Sequence, residues 1–328
     1  MQIGSTRARV LAASFPLFAL VPAASAVTID WTSVGNPGNA CEFQPVNTSG
    51  GATGCFGAVS YAYDIGTYEV TNAQYAEFLN AKATSDPLAL YNTSMGSGFG
   101  GITRSGVSGN FTYSARAGRG DMPANFVSFY DALRFSNWLH NGQGGGDTET
   151  GAYTLLGGTA TPSNGTTVTR NAGATVFVTS ENEWYKAAYH NALGLSASDY
   201  FDYPAGFDAQ TVCSTPTATA NSANCNGAVG DLTTKGSYTG SASPHGTFDQ
   251  GGNVYEWNET IGTGSARVIR GGSFGTGPGA DAAAFRVDEF AFPSFELDYV
   301  GFRVAMIPEP GTGVLLMMGL LGLSRRRH

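Results

Sequence analysis

"GTFDQGGNVYEWNE", residues 246–259, gathers the richest donor chemistry of the chain into one short run. Gly251, Gly252 and Asn253 spell a tight turn, because glycine and asparagine enter turn conformations that other residues avoid. Asp249 and Glu256 flank it. A turn of this kind exposes backbone carbonyls, and carboxylates with carbonyls are the hard oxygen donors that calcium prefers. The competing reading is metal-free: Asp249 accepts backbone N–H groups and Glu256 pairs with an arginine.

Three helices stand out on the N-terminal side of this run. In "TNAQYAEFLNAK" Thr71 and Gln74 form a capping box, and Tyr75, Phe78 and Leu79 make one apolar face. In "SFYDALRFSNWLHNG" Ser128 is the N-cap, Asp131 stands at N3, and Leu133, Phe135, Trp138 and Leu139 are the apolar set. Gly142 is the stop. In "SENEWYKAAYHN" Ser180 and Glu183 repeat the capping box ahead of Trp184, Ala187 and Ala188. Short strands are expected within "SYAYDIGTYEV", "GAYTLL", "ATVFVT", "ARVIRGGSF" and "YVGFRVAMI". With 46 glycines and long turn-rich linkers, the pattern is a loop-rich α+β domain without internal repeats.

The two ends read as processing signals. Arg7 and Arg9, the apolar run after them and "ASA" at 24–26 make a secretory signal peptide over residues 1–26, cut after Ala26. Residues 307–328 hold Pro308-Glu309-Pro310, a short apolar transmembrane helix and Arg325–Arg327, which places the tail in the inner membrane with its basic end inside. This end resembles the PEP-CTERM sorting signal of Gram-negative bacteria. That resemblance implies an exosortase-type sorting enzyme as partner, transient inner-membrane anchoring and delivery to the cell surface or beyond. The body between the ends has one domain's length. Of the chain's 17 basic and 25 acidic residues, setting aside those in the two signals leaves a net charge of about −12. So acidic a surface is unsuited to nucleic acid. Four cysteines, Cys41, Cys55, Cys213 and Cys225, are expected in disulfides outside the cell, with three connectivities open.

"YDIGTYEVTNAQYAEFLN", "MPANFVSFYDALRFSNWL", "VTSENEWYKAAY", "GTFDQGGNVYEWNE", "VIRGGSF" and "VGFRVA" follow one another as in the formylglycine-generating enzyme, or sulfatase-modifying factor, family. The resemblance spans about Gly57 to Ala305. It divides the body into an N-terminal segment, 27–56, and a family-like domain, 57–306, and implies a loop-rich variant of the C-type lectin fold. It also implies structural calcium held by the side chains of Asp249 and Glu256 and the carbonyls of Gly252 and Val254. A second calcium site is expected at Asn224 and Asp231, although their spacing departs from the family pattern.

The family's enzymes bind copper through two cysteines that follow the "GGS-aromatic" block, five residues apart. Here the matching positions fall at or near Thr276 and Ala280, which cannot serve as thiolate ligands. Copper is therefore not expected. His140, His190 and His245 are far apart in sequence and lack ligand-type spacing, so they read as helix-end or surface residues. Arg270, Arg286 and Arg303 read as scaffold residues paired with carboxylates such as Glu256 or Asp131. Trp138, Trp184 and Trp257 read as core. The expectation is an exported, non-catalytic binding or matrix protein whose ligand is a polysaccharide or a surface protein. The alternative is a protein-modifying oxidoreductase of the same superfamily with an unrecognised active site.

Overall fold

A computed structural model describes Met1 and residues 26–45, 53–192 and 199–308. The hydrophobic run of the signal peptide and the apolar, arginine-ended tail lie outside the described residues. Among the described residues no helix is long and apolar enough to cross a membrane.

Each of the three helices begins where its capping box places it. α1 covers Asn72–Lys82 behind Thr71, α2 covers Phe129–His140 behind Ser128, and α3 covers Glu181–Tyr189 behind Ser180. Reciprocal bonds between N-cap and N3 side chains satisfy amides that the first turn leaves open. α1 and α2 meet through an aromatic cluster in which the Phe78, Phe135 and Trp138 rings approach within 5.8 Å of one another. Phe302 closes that cluster from the C-terminal end of the chain, 5.4 Å from Phe135.

The strands are short and scattered. In chain order they are β1 Trp31–Val34, β2 Glu42–Pro45, β3 Thr53–Phe56, β4 Tyr63–Gly66, β5 Ile102–Ser105, β6 Thr112–Ala115, β7 Val176–Val178, β8 Val212–Cys213, β9 Ser222–Ala223, β10 Tyr255–Ile261, β11 Arg267–Arg270, β12 Val300–Gly301 and β13 Val304–Met306. One four-stranded antiparallel sheet has the order β1-β4-β13-β7, with Ala305 opposite both Ile65 and Phe177. A second sheet, β11-β10-β12, carries the Gly-Gly-Asn turn at the entry to β10 and pairs β10 with β12 in parallel. The expected strand in "GAYTLL" does not form. Tyr153 makes only an isolated bridge to Arg170, because the Asn137 side chain takes its amide at 2.7 Å.

The N-terminal segment 27–56 is built into the domain. It supplies edge strand β1 and the β2–β3 hairpin, which the Cys41–Cys55 disulfide closes. Phe56 ends that hairpin beneath the Arg270 and Arg286 guanidiniums, 4.9 and 5.5 Å from its ring.

Candidate functional site

The turn before β10 lies against a buried cluster of charge. Asp249 and Asn253 both take positive φ, 59° in each case, so the chain doubles back tightly there. Glu256 is fully buried and spends both oxygens on a fork from Arg303, at 2.5 and 2.6 Å, with Trp184 Nε1 donating at 2.7 Å. Arg303 also donates to the carbonyls of Gly66 and Phe248. Asp249 accepts from the Gly236 amide at 2.6 Å, and Glu69 accepts from Asn253 Nδ2 at 3.3 Å. Burial pushes the Asp249 carboxyl up to about 6 and the Glu69 carboxyl well above the usual carboxylate range.

Calcium can be tested against this geometry. Three carboxyl groups share one guanidinium, and Glu69 Oε2 has no hydrogen-bond partner. Three acidic groups facing one guanidinium fit a cation, whose charge would let Asp249 and Glu69 ionise. The positions fit less well, because Arg303 and Trp184 hold Glu256. Among the described residues no three His, Cys, Asp or Glu side chains converge on a common point. Asn224 and Asp231 are not arranged as a pair of ligands either. Arg119 grips the Asp231 carboxylate with two bonds of 2.8 Å, and Asn224 gives its amide to the Asp231 main-chain carbonyl while its Oδ1 stays unpartnered.

The loop after β11 turns at Gly271 and Gly272, both at positive φ. A Cβ on Gly272 would stand 2.2 Å from Asp281 Oδ1, so the close approach demands glycine. Asp281 is fully buried, and neither of its carboxyl oxygens has a hydrogen-bond partner. Burial drives it well above the usual range, and the neighbouring Gly252 amide gives its proton to the Gly271 carbonyl instead. Thr276 turns its hydroxyl back to Ser273, accepting from that amide at 2.8 Å. No thiol stands beside it: Cys213 is bonded to Cys225, as Cys41 is to Cys55.

Thr276 stands at the wall of a cavity of about 270 Å³. Tyr255, Trp257, Ile269, Val287 and Leu297 form most of the rest of the wall. Trp257 is fixed by donating Nε1 to the Val127 carbonyl at 3.0 Å. The Tyr255 phenol is pushed up to about 12 by burial, so it stays protonated at neutral pH. No His, Asp, Glu, Lys or Cys is among the described lining residues. At the mouth Phe290 is 72% exposed, and Phe292, Phe295 and Tyr299 are exposed beside it. The same stretch, "DEFAFPSFELDY" at 288–299, carries four acidic residues and no basic one. The cup itself is lined by apolar and aromatic side chains, while Asp288 turns inward to Arg286 and Glu296 accepts from Asn92.

The model of the Sulfatase-modifying factor enzyme 1-like domain matches residues 58–307. The chain belongs to the sulfatase-modifying factor family. The PEP-CTERM protein-sorting motif matches residues 307–327, which marks an exported, surface-associated protein for an exosortase-type sorting system. Treponema denticola variable protein 1 is similar in fold, with a TM-score of 0.51 and 18% identity over 87% of this chain and 98% of its own. CarF is similar likewise, with a TM-score of 0.51 and 21% identity over 86% of this chain and 99% of its own. At such identities the likeness is one of fold, the loop-rich α+β architecture that the sequence implies. No curated protein sequence matches the chain.

Other residues of this sulfatase-modifying factor domain take places that the sequence did not announce. Arg303 pairs with Glu256 as expected. Arg270 and Arg286 instead converge on Glu181 of α3, at 2.8 and 2.9 Å, while Asp131 faces Arg134 at 3.9 Å. Trp138, Trp184 and Trp257 are buried. His140 ends α2 and bonds Thr175 at 2.8 Å. His190 and His245, which the sequence leaves far apart, are brought together with ring nitrogens 3.2 Å apart. Sequence reasoning also passed over Glu69, Asp281 and Glu181. A lone acid in a loop or a first helical turn looks the same whether it meets water or a buried arginine.

Proposed function

We propose that this protein is a non-catalytic binding module of the sulfatase-modifying factor type at the cell surface, holding an apolar or aromatic side chain of another exported protein in the cup beside Thr276. The cup's lining carries this reading. Where the family's enzymes hold a copper-binding thiolate there is a threonine engaged with its own turn, and the surrounding wall is aromatic and aliphatic. Such a wall favours a protein partner over a polysaccharide, because sugar hydroxyls need convergent hydrogen-bonding groups in the lining. The exposed Phe290, Phe292 and Phe295 extend the apolar surface beyond the mouth.

Calcium is proposed in a structural role. Asp249 and the carbonyls of Gly252 and Val254 would hold it, with Glu256 shared between the ion and Arg303. The ion would offset the negative charge that Asp249 and Glu69 take on when they ionise. The maturation route proposed for the chain is cleavage after Ala26, transient passage of the tail through the inner membrane and recognition by the exosortase at Pro308-Glu309-Pro310.

A photo-crosslinking residue in place of Phe290 tests the binding reading in the living host. The expected result is a covalent adduct with an exported protein, lost when Thr276→Phe fills the cup and kept when Gly35→Ser alters an open surface position. Adducts that persist undiminished with the filled cup, or binding confined to the host's polysaccharide, would overturn it.

A further inference from the structure

Two histidines from separate parts of the chain meet at the C-terminal end of α3. His190 is its C-cap, fixed by its own amide donating to the Lys186 carbonyl at 3.1 Å and by an edge-on contact with the Tyr200 ring at 5.3 Å. His245 sits in a turn closed twice, by Gly246 N–H to Ser243 O at 2.8 Å and by Thr247 Oγ1 to Ser243 Oγ at 2.7 Å. His190 Nδ1 and His245 Nε2 face each other at 3.2 Å. This spacing stands at the upper end of the usual hydrogen-bond range of about 2.7–3.2 Å. It matches the edge of a tetrahedral metal site, where two imidazole nitrogens bound at about 2.0 Å stand about 3.3 Å apart.

We infer that His190 and His245 form a two-histidine site for a borderline divalent transition ion such as Zn²⁺, Ni²⁺ or Cu²⁺. Imidazole nitrogen suits these ions and is a poor donor for calcium. The site is distinct from the oxygen-rich turn before β10 and does not depend on the cup. His190 is buried and His245 half-buried, so an ion reaches the pair from the His245 side, where water or a donor from another molecule completes its shell.

Binding needs no net release of protons. In the neutral hydrogen-bonded pair one facing nitrogen carries a proton and the other a lone pair. When an ion enters, that proton leaves the facing nitrogen and the same ring is reprotonated on its far nitrogen. Both facing lone pairs then point at the metal. Burial holds both imidazoles below their ordinary protonation range, which keeps them ready as ligands. Two charged groups act on the pair: Lys186, whose ammonium donates to the Asn36 carbonyl at 2.8 Å and opposes a cation, and Asp199, which favours one at His190.

The test is titration of the purified, untagged full chain, stripped with chelator, with zinc and nickel chloride followed by calorimetry. Binding of one ion per chain is expected, unaffected by excess calcium and weakened at least tenfold by His245→Gln. The His140→Gln/His328→Gln double variant should bind as the parent does, and Lys186→Met should bind more tightly. His245 lies on a half-exposed turn, so its variant reports on the site even where His190→Gln fails to fold. Absence of one-to-one uptake would overturn the inference and leave a plain N–H···N contact. Uptake unchanged in His245→Gln, or lost in the His140/His328 variant, would overturn it too.

Discussion

Glu256→Gln would strip Arg303 of a buried counter-charge while leaving the guanidinium in place. Both side chains are fully buried, and breaking such a pair from one side costs about 3–5 kcal/mol because the remaining charge has no water to turn to. We expect a loss of that size in urea unfolding, and partial recovery when Arg303→Met is added. A loss under about 1 kcal/mol would mean that water reaches the pair. The sequence held both readings of Glu256, as calcium ligand and as arginine partner, and the residue itself could not choose. The neighbours that make it an arginine partner, Arg303 and Trp184, stand 47 and 72 positions away. Asp281 is a harder case. Its setting against Gly272 is visible only once the loop is folded.

Among the elements, α3 joins more of the molecule than its length suggests. Ser180 and Glu183 cap it, Glu183 also takes Arg170 at 2.7 Å, and Glu181 receives both Arg270 and Arg286. The helix therefore fastens the loop that carries Thr276. Glu181→Gln is expected to leave two arginines without their shared carboxylate, at a cost of about 3 kcal/mol or more. Hydrogen exchange should then rise across 271–286 before it rises in α1 or α2. Uniform acceleration in all three elements would show that Glu181 serves global stability alone. Helices were legible because a capping box is a local signal written within four residues. Strands were less so. β10 is buried on both faces from Tyr255 to Asn258, so it has no alternation to read, and β1 pairs with β4 across an intervening hairpin. The cup was invisible for the same reason: its walls come from β10, β11 and the chain ahead of β12.

At the scale of the whole molecule, the acidic body buries carboxyl groups whose protonation range burial raises, and this sets the direction of its pH dependence. Burial raises Asp131 to about 7 and Asp249 to about 6, and carries Glu69 and Asp281 well above their ordinary values. For each of these the folded state holds a proton that the unfolded chain has released, so stability falls as pH rises toward the folded value. His190 and His245 act oppositely. Their folded values are lowered, His245 to about 4, so stability falls as pH drops below the free imidazole value near 6.5. Between pH 5 and 8 these four carboxyl groups oppose two imidazoles, whose effect occupies only the lower half of that window. They also oppose Lys186, which burial lowers to about 8 and whose effect begins only at the upper edge. The carboxyl effect prevails, and the unfolding temperature should be higher at pH 5 than at pH 8. Calcium at the turn before β10 would take over the role of the proton by compensating ionised Asp249. Added calcium should therefore raise the unfolding temperature more at pH 8 than at pH 5, and Asp249→Asn should abolish the difference. A calcium effect equal at both pH values, or one that survives Asp249→Asn, would place the ion elsewhere in the molecule.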